Sequence, residues 1–224
     1  MRPSLVSVIV PTFNRARFIG GAIASIRGQH DVDAEILVID DGSTDETETV
    51  ARAEGAPVVY LRFDHGGVGA ARNRGLAAAR GELVAFLDSD DVWPVGSLAV
   101  RREHLERHPE VDVVYGRTTF RHVGAARRRR LAHREDGEVS APLLGSMLCR
   151  RSVFDRVGGF DERLAHAEDV EWLTRVKAQA VPMQAIDATT LEYRIHGENM
   201  TDDVARNQAF LLRALKQSLD RTRR

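Results

Sequence analysis

Cysteine is nearly missing from this sequence: Cys149 is the only one in 224 residues. A single thiol excludes any intrachain disulfide and fits a reducing compartment. Between Leu148 and Arg150 it reads as a small buried hydrophobe rather than a nucleophile. Long apolar runs are missing too. The longest early one, Val6 to Pro11, is far too short for a signal-peptide core or a membrane span, and no later stretch comes closer. The sequence therefore reads as cytoplasmic, with peripheral contact at the inner membrane left open. Charge of one sign is also wanting. The formal net charge is −1, so no global field recruits nucleic acid or an anionic bilayer. Lysine is confined to Lys177 and Lys216, which leaves arginine as the working cation.

What remains is an ordinary globular composition, 43% hydrophobic and 29% charged, on a length that suits one domain. The first half alternates strand and helix signals. Ser7-Val8-Ile9-Val10 is a β-branched run expected to stop at Pro11, and Phe18, Ile19, Ala22, Ile23 and Ile26 then recur at helical spacing. Glu35 to Ile39 predicts a second strand, residues 44–53 a helix, Val58 to Leu61 a third strand, Ala70 to Arg80 a helix, and Leu83 to Leu87 a fourth strand. Such alternation predicts an α/β fold, a Rossmann-like and mainly parallel nucleotide-binding sheet with flanking helices. Ligands of such sheets sit beyond the carboxyl ends of the strands, where Pro11-Thr12, Asp40-Asp41 and Asp88-Ser89-Asp90-Asp91 all fall.

The second half is less regular. Residues 97–108 predict a helix, 111–115 a strand, 170–179 a helix and 191–196 a short strand. Residues 118–137 carry Arg127 to Arg130 with little periodicity and predict an exposed excursion or hairpin. That arginine run reads as a solvated loop, or as a contact for an anionic acceptor or lipid headgroups. Leu211, Leu212, Leu215 and Leu219 give the C-terminal segment an apolar helical face.

Several of these pieces can carry chemistry, and each also has a plain structural reading. Three carboxylates within Asp88-Ser89-Asp90-Asp91 repel one another unless a cation or hydrogen bonds hold them. They can cap the next helix, or bind Mg²⁺ or Mn²⁺ through hard oxygens. Asp40-Asp41-Gly42-Ser43 can cap a helix, or accept a bond from a base or ribose hydroxyl. His65-Gly66-Gly67-Val68-Gly69, followed by Arg72 and Arg74, offers bare amides and guanidinium groups to a phosphate or nucleobase edge. Its glycine spacing and its place after the third strand do not match the dinucleotide fingerprint. Glu168-Asp169 can complement a helix dipole or supply a general base. His196 can be plain surface, a metal ligand or a phosphate contact.

Taken in order, these segments resemble the family 2 glycosyltransferases of the A-type fold over residues 5–200. The resemblance rests on Val8-Ile9-Val10-Pro11-Thr12-Phe13-Asn14-Arg15, Val38 to Asp45, Arg72-Asn73-Arg74-Gly75, Phe86 to Asp91, Gly158 to Glu162, Glu168-Asp169, and Tyr193 to His196. It implies a nucleoside pocket lined by Pro11, Thr12, Asn14 and Asp41 with Arg72 or Arg74 nearby, and Asp88 and Ser89 toward the ribose. It further implies a divalent cation, Mn²⁺ or Mg²⁺, at Asp90 with Asp91 and His196. Asp169 would be the base, with Glu168 beside the substrate. The donor would be a nucleoside-diphosphate sugar, UDP foremost with dTDP or GDP as alternatives, and the reaction would invert the anomeric centre. The acceptor could be a glycan, a lipid-linked sugar or a small molecule. One domain is expected, with residues 1–95 binding the nucleotide sugar, 96–200 serving the acceptor, and a helix over 203–224; a homodimer is compatible with all of this. A nucleotidyltransferase and a non-catalytic nucleotide- or sugar-binding module are the rival readings. The first would show a glycine-rich basic loop after the first strand, where Thr12-Phe13-Asn14-Arg15 has no glycine.

Overall fold

The computed structural model describes residues 4–123, 137–196 and 199. Strands β1 (Val6–Thr12), β2 (Ala34–Asp40), β3 (Val58–Arg62) and β4 (Leu83–Phe86) alternate with helices α1 (Ala16–Arg27), α2 (Thr47–Ala53) and α3 (Val68–Ala78). The strands lie in the order β3-β2-β1-β4 and are all parallel. Every residue of β1 is buried, because helices cover both faces of the sheet. That is why the strand reads as a continuous apolar run instead of alternating. Neighbouring side chains still separate by face: Val8 and Val10 join Ile19 and Ile23, whereas Ile9 joins Leu37, Phe86 and Trp172.

Pro11 does not end β1, which continues to Thr12 in register with Asp40 of β2. The reason lies in the ladder. Ile9 accepts a bond from the Leu87 amide, so residues 9 and 11 turn their backbone polar groups toward β4. β4 ends at Phe86, opposite Ile9, so the ladder on that side stops before a residue-11 amide is called on. The alanine-rich α3 lies directly on the sheet. A Cβ at Gly75 would stand 2.4 Å from Ile9 Cγ2, so only glycine permits this approach.

The rest of the chain adds α4 (Ser97–Arg107), β5 (Val113–His122), β6 (Gly137–Val139), β7 (Met147–Arg150), α5 (Ser152–Val157), α6 (Glu168–Ala178) and β8 (Met183–Ile195). β7 runs antiparallel to both β4 and β5, β6 runs antiparallel to β5, and β8 runs parallel to β5 with two register shifts. The sheet is thus parallel in its first half and mixed beyond β4. β5 reaches well past residue 115, so residues 118–122 are strand rather than excursion, and 137–139 pair back onto them as a hairpin would. Arg127 to Arg130 and the helix expected over 203–224 lie outside the described residues. β8 is more than twice the strand expected there, because its first half is half-exposed and carries no period-2 signal. Cys149 is buried in β7, and burial pushes its thiol up to about 12, which suits packing and not nucleophilic attack. Among the described residues no helix is long and apolar enough to cross a membrane.

Candidate active site

The carboxyl ends of β2, β1 and β4 lie side by side, and each leads into polar residues. Asp40 is buried and spent on structure: it accepts from the Tyr60 hydroxyl and from the Ser43 amide at 2.7 Å. Burial, followed by that aspartate, pushes the Tyr60 phenol above its ordinary range. After β1, Asn14 adopts a left-handed φ of 51°, with its Oδ1 taking the Thr44 amide at 2.8 Å and its own amide bonding to Ser43 Oγ at 2.8 Å. The Thr12 hydroxyl is buried and makes no hydrogen bond among the described residues.

Asp41 is 3% exposed and surrounded by donors. The amides of Gly66 and Gly67 reach its two oxygens at 2.8 and 2.7 Å, Arg74 Nη1 lies at 3.1 Å and His65 Nδ1 at 2.8 Å. The sequence suggested that the glycine amides face a phosphate or base. Here they face Asp41, so this loop is folded around an internal carboxylate. The Phe13 ring lies 4.5 Å from that of His65, which joins the two loops at the surface.

The acidic turn after β4 divides its carboxylates among three environments. Asp90 meets His196 Nε2 at 3.1 Å and Arg15 Nε at 3.4 Å. Burial works to raise its pKa, but the His196 hydrogen bond and the Arg15 charge prevail and hold it below the usual carboxylate range. Asp91 accepts the Arg194 amide at 2.9 Å, and burial with the charges of Asp90 and Asp88 raises it well above the usual range. One oxygen of Asp91 is thus taken by a backbone amide, and among the described residues Asp91 does not complete a three-residue cluster with Asp90 and His196. His196 is buried, with its ring stacked on Phe18 at 4.3 Å, which overturns the plain-surface reading. Ser89 is buried between the carboxylates.

Among the described residues no three His, Cys, Asp or Glu side chains are gathered as a closed metal site requires. An ionised Asp90 beside an imidazole still fits Mn²⁺ or Mg²⁺, which take few protein ligands when phosphate oxygens complete the shell.

Arg72 crosses from one side of the site to the other. Its side chain is buried, with Nη2 on Asp88 at 2.8 Å and Nη1 on Glu168. Its guanidinium is therefore shared between two carboxylates. Poor hydration raises the Asp88 carboxyl although the side chain keeps 43% of its surface; Arg72 opposes this and Asp90 adds to it. Glu168 is pushed up to about 7, as burial and the neighbouring Asp169 outweigh a guanidinium shared with Asp88. Asp169, half-buried in the first turn of α6, accepts the Val170 amide at 2.8 Å and is close enough to add to the field at Asp88 and Arg72. Sequence reasoning missed three residues inside motifs it had singled out: Arg15 on Asp90, Arg194 on Asp91, and Asn73, which bonds to Phe160 and Glu162. Their motifs marked them, but spacing along the chain could not show contacts up to 103 residues away.

The family model described as Glycosyl transferase family 2 matches residues 7–163, and one described as Glycosyltransferase like family 2 matches residues 128–219. An uncharacterized glycosyltransferase of Rickettsia prowazekii is 29% identical over 88% of this chain and 66% of its own length. The mannosyltransferase PcManGT from Pyrobaculum calidifontis, solved with GDP-Man and Mn²⁺, superposes with a TM-score of 0.76 at 24% identity, over 98% of this chain and 65% of its own. S. aureus TarS, solved with UDP-GlcNAc, superposes with a TM-score of 0.73 at 23% identity, over 89% of this chain and 61% of its own. The chain therefore spans about two thirds of the length of these proteins, and the two superpositions show a common fold.

Proposed function

The chain belongs to glycosyl transferase family 2, and from that premise we propose that it transfers a sugar from a nucleoside diphosphate to an acceptor hydroxyl, using a divalent cation and inverting the anomeric centre. One observation carries this reading: Arg72 bridges the acidic turn after β4, where Asp90 meets His196, to the Glu168-Asp169 pair at the start of α6. A leaving-group side and an attacking side then face each other across one buried cation. Residues 1–95 serve the donor, joined there by His196, and the rest of 96–200 serves the acceptor.

On the donor side, Pro11, Thr12 and Asn14 line the nucleoside pocket, with the buried Thr12 hydroxyl, which has no partner among the described residues, available to the base or ribose. Asp41 and Arg74 shape that pocket by holding the glycine loop. Asp88 and Ser89 lie toward the ribose. Asp90 and His196 would hold Mn²⁺ or Mg²⁺, whose charge favours departure of the nucleoside diphosphate. UDP is the first donor to test, with dTDP and GDP next; the complexes of TarS with UDP-GlcNAc and of PcManGT with GDP-Man support this class. On the acceptor side, Asp169 takes the hydroxyl proton as that oxygen attacks the anomeric carbon from the face opposite the diphosphate. A base set apart from the donor carboxylates suits one displacement without a covalent sugar–enzyme intermediate.

Incubation with labelled nucleotide sugars and Mn²⁺, with and without chelator, tests the reaction. Sugar transfer or donor hydrolysis supports it, whereas pyrophosphate release would mean nucleotidyl transfer and binding alone a module. The anomeric proton coupling of the product tests the stereochemistry: an α-linked donor should give a β-glycoside, and retention would remove Asp169 from its role.

A further inference from the structure

The three polar residues 72–74 of α3 leave the helix toward three different parts of the site. Arg72 reaches Asp88 and Glu168, and Arg74 reaches Asp41. Asn73 reaches the loop after α5. Its Oδ1 accepts the Phe160 amide at 2.8 Å, and its Nδ2 donates to the Phe160 carbonyl at 2.9 Å and to Glu162 Oε1 at 2.8 Å. A side-chain amide that satisfies both backbone groups of one residue acts as a strand neighbour would, and fixes that residue in position and orientation. The approach is close by design of the sequence: a Cβ on Gly159 would lie 2.3 Å from Asn73 Oδ1.

The same loop is bound on its other side to α6, the helix that begins with Glu168-Asp169. Arg175 donates to the carbonyls of Val157 at 2.6 Å and Gly159 at 2.5 Å, and Trp172 Nε1 donates to Gly158 at 3.1 Å. Arg175 is itself held by the fully buried Glu171 at 2.9 Å. Loop and α6 therefore form one unit, while Asn73 belongs to the helix that carries the donor-side contacts. An open groove of about 370 Å³ runs past Asn73, Leu76, Phe154 and Phe160, so the outer side of this junction is not packed. The buried Phe160 ring packs the inner side, and on the outer side hydrogen bonds hold the loop to α3.

We propose that Asn73 is a positioning residue that locks residues 159–162, and with them the helix bearing Asp169, to α3 and so to the donor-side carboxylates. This rests on the reading of Asp169 as the base. The side chain must offer a donor and an acceptor at one reach. Aspartate cannot donate and would face Glu162 with like charge, and glutamine overreaches by a methylene.

The test uses the full chain as Asn73→Ala, Asn73→Asp and the double variant Asn73→Asp/Glu162→Gln, in which the new amide can donate to the new carboxylate. For the two single variants we expect the kcat of transfer to fall about tenfold or more, as misplaced reacting groups do, with donor KM unchanged. Backbone hydrogen exchange should quicken at residues 158–170 and stay as it was in β1, β2 and β4. The double variant should regain part of kcat and part of the protection. Unchanged exchange over 158–170, loosening spread evenly through the sheet, or donor KM rising in step with the loss of kcat would each overturn the proposal. Should the wild-type protein turn over no nucleotide sugar, the catalytic reading fails by itself. The exchange pattern then decides the clamp: local acceleration upholds it and its absence overturns it.

Discussion

The two halves of this molecule are built by different means. β1, β2, β3 and β4 are joined by continuous parallel ladders, and the helices between them settle on apolar faces written locally in the sequence. Beyond β4 the ladders continue through β7, β5 and β8 with mixed strand directions, and side chains crossing long stretches of sequence add to the joining. Arg101, fully buried, reaches the Met147 carbonyl at 2.9 Å; Arg150 reaches the Leu105 carbonyl at 2.7 Å; Arg175 and Asn73 hold residues 157–160. Ladders fix a sheet edge rigidly, and long polar side chains fix a loop only as well as their partners are fixed. The chemistry sits where the two constructions meet, with Arg72 as the join.

The largest effect should come from the donor side of that join. Asp90 is the one carboxylate of the acidic turn held below the usual range and paired with His196. Asp90→Ala should cut Mn²⁺-dependent turnover by about 10³-fold or more, the scale of losing a main electrostatic contact to a leaving group. It should also remove the protection that Mn²⁺ with nucleotide gives against thermal unfolding. Wild-type turnover that survives chelation would sink the cation assignment.

Next in size is the acceptor side. Asp169→Asn preserves the shape of the side chain and its acceptor oxygen for the Val170 amide. It should leave donor affinity intact and lower kcat by at least about a hundredfold. If donor KM rises instead, Asp169 belongs with the donor and the division of labour between the halves is wrong.

A third effect concerns stability alone and belongs to the ladder-built half. Gly75→Ala would drive a methyl into Ile9 and Ile39, lifting α3 off the sheet. Overpacking of this kind costs about 1–3 kcal/mol. A denaturant titration should show the loss as a lower midpoint with unchanged slope. No change would mean that α3 does not rest on β1 as closely as described.

The same contrast explains what could be read from the sequence. The four parallel strands, their helices and the carboxyl edge with Thr12, Asp41 and Asp88 were legible, since periodicity and turn chemistry are local signals. Pro11 misled because its effect depends on where β4 ends, a fact about the neighbouring strand. The glycine loop was found, but its object was not: amides that suit a phosphate also suit Asp41. Likewise Asp90 and Asp91 are adjacent and chemically alike, and only the fold separates the one facing His196 from the one facing the Arg194 amide. The lengths of β5 and β8 were missed because those strands are half-exposed, so their pairing rather than their composition defines them.

The smallest effect probes the join itself. Around Arg72 stand Asp88, Glu168 and, within range of its field, Asp169, so one guanidinium faces more than one carboxylate. Burial raises Glu168 to about 7 in the folded chain, from an ordinary value of 4.5. A carboxyl raised on folding stabilises the protein fully below its unfolded value, and that contribution is lost as pH rises through the folded one. Wild-type stability should therefore decline between pH 4.5 and 7 by this route, while Glu168→Gln, uncharged throughout, should not share the decline. The difference in Tm, variant minus wild type, should rise across that window. Asp88 shares Arg72 with Glu168 and feels its charge, which spreads the titration and keeps the change to about 1 kcal/mol, or about 2–4 °C in Tm for a chain of this size. A difference that stays flat or falls with pH would mean that Arg72 holds Glu168 ionised throughout. The join would then be a simple ion pair across that window, loosening only where an ordinary carboxyl takes up its proton.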